Sequence, residues 1–308
     1  MVAGGAPIVA LASRTRSRAE QAARFISESV EPGGLRAGSE KTRPTHVGRV
    51  PPSVLVVDIA QVPQLATRVL IAVSDRAIEP VAEALASAGM RSGAALHTCG
   101  ARGPDALTAL RIKGVACGTL HPLQTIMTPE QGVNSFGEAT FGLSGDREAI
   151  LWADEIVETV GVATGGDPRS LRIDADRSSY YHAGAVMASN ALMAVLDAAM
   201  ILMVHAGVDR DAALRALGPL ARTSLQNALA SGPQAALTGP VVRGDAATVA
   251  AHTEALRSVE PTVARLYEAS AMHLLQLARQ RGLSDASVRA VELVLDKRSG
   301  LRRTGREG

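Results

Sequence analysis

Little in this chain could stack on a base. Its 308 residues include one Trp, three Tyr and three Phe, too few for the aromatic platforms that hold single-stranded nucleic acid. Charge of one sign is lacking too. Lys plus Arg number 32 against 30 Asp plus Glu, a net charge of +2, too small to draw the chain onto a phosphate backbone. No nucleic-acid partner is expected. Two cysteines, Cys99 and Cys117, cannot build a disulfide framework or a four-sulfur zinc site, so no metal is expected and the chain reads as cytoplasmic. The apolar start, 1–12, has no preceding positive charge and is short for a signal peptide. The longest apolar run, 183–204, is interrupted by Ser189, Asn190 and Asp197. An Asp near the centre of a bilayer costs several kcal/mol. The run is therefore expected as a buried helix of a soluble domain, with no membrane partner.

What is present is the balance of a globular protein, 46% hydrophobic and 20% charged, in a length that suggests about two domains. The first half alternates short apolar runs (7–12, 54–59, 68–73, 94–98, 115–120, 139–143 and 170–173) with helix-like ones (16–28, 78–88, 104–111 and 147–160). Such alternation predicts a parallel sheet with helices on both faces, and the continuously apolar strands suit one buried on both sides. From 177 onward the pattern is helical: 177–206, 210–230, 246–252, 262–281 and 285–296. Stops are expected at Gly207, Gly218, Gly232-Pro233, Gly239-Pro240 and Gly282. The expected organisation is an α/β domain over 1–176, an all-α domain over 177–297 and a solvated tail over 298–308. Residues 31–53, rich in Gly, Pro, Arg and Ser, read as a loop insertion.

In such sheets ligands bind beyond the carboxyl ends of the strands. The first apolar run ends in Ser13-Arg14-Thr15-Arg16. In dinucleotide-binding folds the second strand ends beside the adenosine ribose, where an arginine accommodates a 2′-phosphate and a carboxylate would accept from a 2′-hydroxyl. The two arginines suit NADP over NAD; the alternative is a solvated helix start. The run through Val73-Ser74 ends in a small polar turn that lets backbone approach a cofactor, while Asp75 serves equally well as a helix N-cap. Two further runs end in His97-Thr98-Cys99-Gly100 and His121-Pro122-Leu123-Gln124-Thr125. Imidazoles at neighbouring strand ends suit proton transfer near neutral pH; the other reading of each is a satisfied structural histidine. Ser13, Arg14, Thr15, Arg16, Val73, Ser74 and Thr98 are thus the candidate cofactor contacts. One element is missing. A dinucleotide fold opens with a strand, a G-x-G-x-x-G turn and a helix that holds the pyrophosphate, and Gly4-Gly5 is no substitute. That strand is central in the 3-2-1-4-5-6 order, so a gap is expected in the middle of the sheet. Either the strand is encoded upstream of Met1 or this is a degraded copy.

Four motifs carry a resemblance: His97-Thr98-Cys99-Gly100-Ala101, Gly118-Thr119-Leu120-His121-Pro122-Leu123-Gln124-Thr125, Tyr181-His182-Ala183-Gly184-Ala185-Val186-Met187-Ala188-Ser189-Asn190, and Leu237-Thr238-Gly239-Pro240-Val241-Val242-Arg243-Gly244-Asp245. Over about Pro7 to Asp296 the chain resembles bacterial Rossmann-like proteins with a C-terminal helical domain of unassigned function, labelled NADP-dependent oxidoreductases. More distantly it is similar to pyrroline-carboxylate reductases, ketopantoate reductases, β-hydroxyacid dehydrogenases and prephenate dehydrogenases. The resemblance implies a Rossmann-like NADP-binding domain followed by a helical, often dimerising, domain. His121-Pro122 is similar to the His-Pro pair of prephenate dehydrogenases. Asn190 matches in position the Asn of β-hydroxyacid dehydrogenases, but Val186 and Met187 stand where their catalytic Lys would be, so that chemistry is not carried over.

On one continuous helix, His182, Ser189, Asn190 and Asp197 share a stripe about 100° wide on an otherwise apolar surface. Such a stripe lines either a cleft or an internal hydrogen-bond network. Arg243, in the loop 238–245, brings a cation to an acidic substrate or closes a turn onto Asp245. The candidate proton-handling residues are then His121, His97, His182 and Asn190, with Ser189 and Arg243 toward a small-molecule substrate. The leading expectation is an NADP-dependent oxidoreductase acting on a small carbonyl, imine or hydroxyl compound. The alternative is a non-catalytic nucleotide-binding or dimeric interaction protein that has lost the glycine loop. The apolar helical half is expected to associate as a homodimer.

Overall fold

The computed structural model describes residues 8–30 and 54–300, excepting the side chains of 28–30 and 297–300. The expected insertion 31–53, the Gly4-Gly5 pair and 301–308 lie outside the described residues. Two compact units divide at Ser189, later than the expected boundary at 176.

In the first unit, β1 (Ala10–Ala12) leads into α1 (Arg16–Val30), and β2 (Leu55–Val57) is followed by α2 (Val62–Leu65). Then come β3 (Arg68–Ile71), α3 (Ile78–Ser87), β4 (Ala94–His97), α4 (Thr108–Arg111) and β5 (Ala116–Leu123). The unit closes with α5 (Pro129–Ser135), β6 (Thr140–Gly145), α6 (Arg147–Thr164), β7 (Arg169–Arg172) and α7 (Ser178–Ala188). Each predicted apolar run contributes a strand. The strands form two sheets: β1 pairs only with β2, and a five-stranded sheet runs β3-β4-β5-β6-β7. The break falls between β1 and β3, where the missing central strand was expected to leave a gap.

The sheet is not wholly parallel, which corrects the sequence reading. β6 runs antiparallel to β5, with His121 opposite Gly142 and Thr119 opposite Ser144. Residues 124–139 hold only a short helix and a 3-10 turn, so no crossover helix carries the chain back along the sheet before β6 starts. On one face α3, α4 and the 3-10 turn before α4 bury Ile78, Leu85, Leu107 and Leu110 against Ala95 and Cys117. On the other, α6 packs Trp152, Ala153 and Ile156 on Leu96, Leu120 and Leu143. Asp146 anchors the start of α6: its carboxylate accepts from Cys117 N–H at 2.7 Å and from Arg111 Nε at 3.2 Å. Each fully buried Leu or Ile in these layers contributes about 1.5–3 kcal/mol relative to exposure.

The second unit is helical: α8 (Asn190–His205), α9 (Arg210–Ser231), α10 (Pro233–Ala236), α11 (Ala246–Ala255), α12 (Pro261–Gln280) and α13 (Asp285–Gly300). Three expectations are corrected. The predicted single helix 177–206 is broken at Ser189, whose φ of −126° and ψ of −78° leave the helical region, so the four polar residues do not share one continuous stripe. Gly218 does not stop α9, which runs through Gly218 and Pro219; helix-forming Ala, Leu and Arg on both sides outweigh the lost proline bond. Finally, α8 is not a buried core helix in the single chain, since of its residues only Met200 is buried. The stretch Ala175–His205, 31 residues, is long and apolar enough to cross a membrane by length and composition alone. The core of this unit lies instead where Val249, Ala271, Leu275, Val288 and Val291 meet across α11, α12 and α13.

Candidate active site

β4 ends on His97, and the chain turns back through Thr98–Gly103. Cys99 N–H donates to His97 Nδ1 at 3.2 Å, and His97 Nε2 lies 3.1 Å from the Gly103 carbonyl. Because Nδ1 accepts, Nε2 carries the proton, so the ring is neutral with its tautomer set by two backbone groups. Burial holds its pKa below the ordinary 6.5, against the Gly103 carbonyl, which favours the cation. The ring is 0% exposed. Both nitrogens of His97 are held by backbone of the loop that it closes.

The loop is closed against His121, the sixth residue of β5. A Cβ at Gly100 would come within 2.7–2.8 Å of His121 Cε1, Nδ1 and Nε2, so only glycine leaves the imidazole its place. His121 Nδ1 is 2.8 Å from the Tyr181 hydroxyl, and the rings meet edge-on, centroids 5.5 Å apart at 89°. Tyr181 in turn lies over Gly142, where any Cβ would overlap its hydroxyl. His182, the next residue of α7, places its ring centroid 6.1 Å from that of His121. Burial and the neighbouring His182 both press the His121 pKa down, with Asp75 opposing them. Burial raises that of Tyr181 against the pull of the Gly142 amide. At neutral pH the site thus holds a neutral imidazole bonded to a neutral phenol. Such a pair can pass a proton through the ring while the phenol fixes its orientation. Tyr181 was not among the expected site residues. Its signal was only the clustering of two of the three tyrosines beside His182.

The remaining candidates are dispersed. Ser13, Arg14 and Thr15 are exposed beyond β1, and Arg16 pairs with Glu20 at 3.1 Å. Val73 and Ser74 form the exposed turn after β3, and Thr98 N–H donates to the Ile71 carbonyl at 3.3 Å beside it. Ser189 Oγ donates to the Ala185 carbonyl at 2.7 Å, within its own turn. Asn190 and Arg243 belong to the second unit, where Arg243 lies near the Asp245 carboxylate. No cluster of metal-ligating side chains occurs among the described residues. An open groove of about 370 Å³ lies at the opposite end of the strands, lined by Glu83, Arg91 and Lys113 on the segments that lead into β4 and β5. It holds none of these groups.

A dinucleotide meets these residues unevenly. The β1 end offers exposed arginines, and the β3 and β4 ends offer open backbone. Between them the two sheets are not hydrogen-bonded to each other. Among the described residues no glycine-rich turn opens a helix there, so the pyrophosphate finds no cradle of backbone amides. The ends fit; the middle does not.

Fold and site together define the class: a Rossmann-like α/β unit with a mostly helical C-terminal part, bearing a histidine–tyrosine pair on the sheet at β5. Residues 139–274 match the model of a family described as a domain of unknown function, DUF2520. No curated protein matches the sequence. A Thermotoga maritima protein of solved structure is similar at 20% identity and a TM-score of 0.62, covering 89% of this chain and 92% of its own. A Bacteroides fragilis protein named as a candidate NADP oxidoreductase is similar at 19% identity and a TM-score of 0.62, covering 89% and 90%. An imine reductase of Streptomyces aurantiacus is similar at 15% identity and a TM-score of 0.55, covering 92% and 90%.

Proposed function

We propose that this chain is a cytoplasmic oxidoreductase of the NADP-linked kind, acting on a small carbonyl, imine or hydroxyl substrate. The observation that carries the reading is the neutral His121–Tyr181 pair, seated between two glycines on β5 of a sheet similar to that of reductases. In this reading His121 exchanges the substrate proton, Tyr181 orients the imidazole, and His182 lowers the ring's affinity for a second proton. His97 is a positioning residue, holding Gly100 against His121. Arg14 and Arg16 favour a 2′-phosphate. No step is assigned to the dinucleotide, because its pyrophosphate lacks a cradle among the described residues.

Two measurements test this. Fluorescence titration should find weak dinucleotide binding with NADPH preferred over NADH by at least about 10-fold, since one charge-assisted arginine–phosphate bond is worth about 1.5–3 kcal/mol. Equal affinities would sink the NADP assignment. A panel of small cyclic imines and ketones, assayed with NADPH, should show turnover that His121→Asn lowers by about 10²–10⁴-fold. The alternative reading, a non-catalytic member of the fold, expects that no member of the panel turns over and that His121→Asn changes nothing.

We also infer a homodimer through 177–296. Of α9 only Ala213 is buried, while Leu220, Leu225 and Leu229 are 63%, 46% and 78% exposed. An apolar helix face left this open is covered by association, and a second copy is its simplest cover. The Asp197–Arg210 ion pair at 2.5 Å, exposed between α8 and α9, argues against a bilayer there. Light scattering should give twice 31.9 kDa; the mass of one chain at micromolar concentration refutes it.

A further inference from the structure

Three neighbouring strands present polar side chains in one row on the same face of the sheet. His97 of β4 is in register with Thr119 of β5, which faces Ser144 of β6. His97 is satisfied by backbone. Thr119 and Ser144 are each only 5% exposed; neither hydroxyl bonds another described residue, and neither oxygen is fully sealed from solvent. They are not sealed off from each other. Both line one cavity with Cys99, Gly100, His121 and Tyr181, in which about 10 Å³ is open to the centre of a water-sized sphere. That is room for about one water molecule.

Hydroxyls with so little exposure and no protein partner take their hydrogen bonds from water in the space they line. A cavity of this size admits nothing larger than water. Its lining supplies the several hydrogen-bonding groups that an ordered internal water needs. His121, whose Nε2 bonds no described residue, borders the same space.

We propose that Thr119 Oγ1 and Ser144 Oγ hold one internal water beside the His121–Tyr181 pair, as a built part of the site. The water gives each hydroxyl its partner. It also gives the His121 ring a route to a proton that does not pass through Tyr181. The proposal does not depend on the redox reading, and its test needs no substrate.

Thr119→Val is nearly isosteric and removes one hydroxyl. Where that hydroxyl is bonded to water, the variant loses a hydrogen bond and Tm falls by about 2–4 °C. Where it is bare, valine removes a cost and Tm rises. Should Thr119→Val fail to fold, Ser144→Ala is read with the same signs. A crystal structure of the full chain at about 1.5 Å resolution should show water density within hydrogen-bond distance of both oxygens. Either an empty cavity at that resolution or a rise in Tm overturns the proposal.

Discussion

Removing a single oxygen by Tyr181→Phe tests which way the proton lies in the bond between Tyr181 and His121. The hydroxyl stands 2.8 Å from Nδ1, and the assignment put to the test takes the phenol as donor and Nδ1 as acceptor. A donated bond stabilises the neutral imidazole and is lost when the ring is protonated. A neutral hydrogen bond of this kind is worth about 0.5–1.5 kcal/mol, and 1.36 kcal/mol corresponds to one pH unit. The His121 pKa should therefore rise by about 0.4–1 unit in the variant. Water admitted to the vacated space acts in the same direction, because burial is the chief cause that lowers this pKa. Had Nδ1 been the donor, the cation would bond the phenol more strongly than the neutral ring does, and losing the oxygen would lower the pKa. The assay is an NMR titration of the His121 Cε1 proton, assigned with His121→Asn, with long-range nitrogen correlations to read the tautomer. A fall in pKa, or no change while the ring stays in place, refutes the assignment of donor and acceptor.

Gly142→Ala places a methyl where the Tyr181 hydroxyl stands; it should cost about 1–3 kcal/mol of overpacking and shift the His121 titration as Tyr181→Phe does, read by denaturant melts and NMR. His97→Leu fills the same space but leaves the Cys99 amide and the Gly103 carbonyl without the ring, at about 1–3 kcal/mol each, so the urea midpoint should fall well below that of the native chain. Stability should also depend on pH below neutrality. His97 and His121 are both held under their ordinary 6.5, so the unfolded chain binds more protons than the folded one as pH drops through that value. Stability is then full above about pH 6.5 and is lost below it, which urea midpoints at pH 7.5 and 5 should show; a higher midpoint at the acid pH refutes the sign. Burial pushes the Cys117 thiol up to about 11 and raises that of Cys99, so neither should react with a thiol reagent at pH 8 until denaturant is added.

The strands were legible because a buried strand is a local matter. A few consecutive β-branched and aliphatic residues, such as Val69–Ile71 or Ala94–Leu96, carry that signal within themselves. The helical second half declared itself in the same way, through periodicity and glycine stops. The place of His121 was legible for a related reason: Pro122 holds the preceding residue extended, and His121 lies inside β5.

Sequence by itself thus determined the elements, their order and the histidines that reach one end of the sheet. Tertiary structure decided which of them can act. The antiparallel turn of β6 depends on how residues 124–139 cross space, and no local propensity encodes that. Only β6 laid back along β5 sets Gly142 beside His121, and only then can Tyr181, 60 residues further along the chain, reach its ring. His97 and His121 look alike in sequence, each ending an apolar run. They part because two backbone groups of the loop 98–103 occupy both nitrogens of His97, while His121 has one bound by a phenol and the other left to the cavity. Side-chain chemistry is written residue by residue, but availability is decided by partners distant in sequence, which only the folded chain brings together.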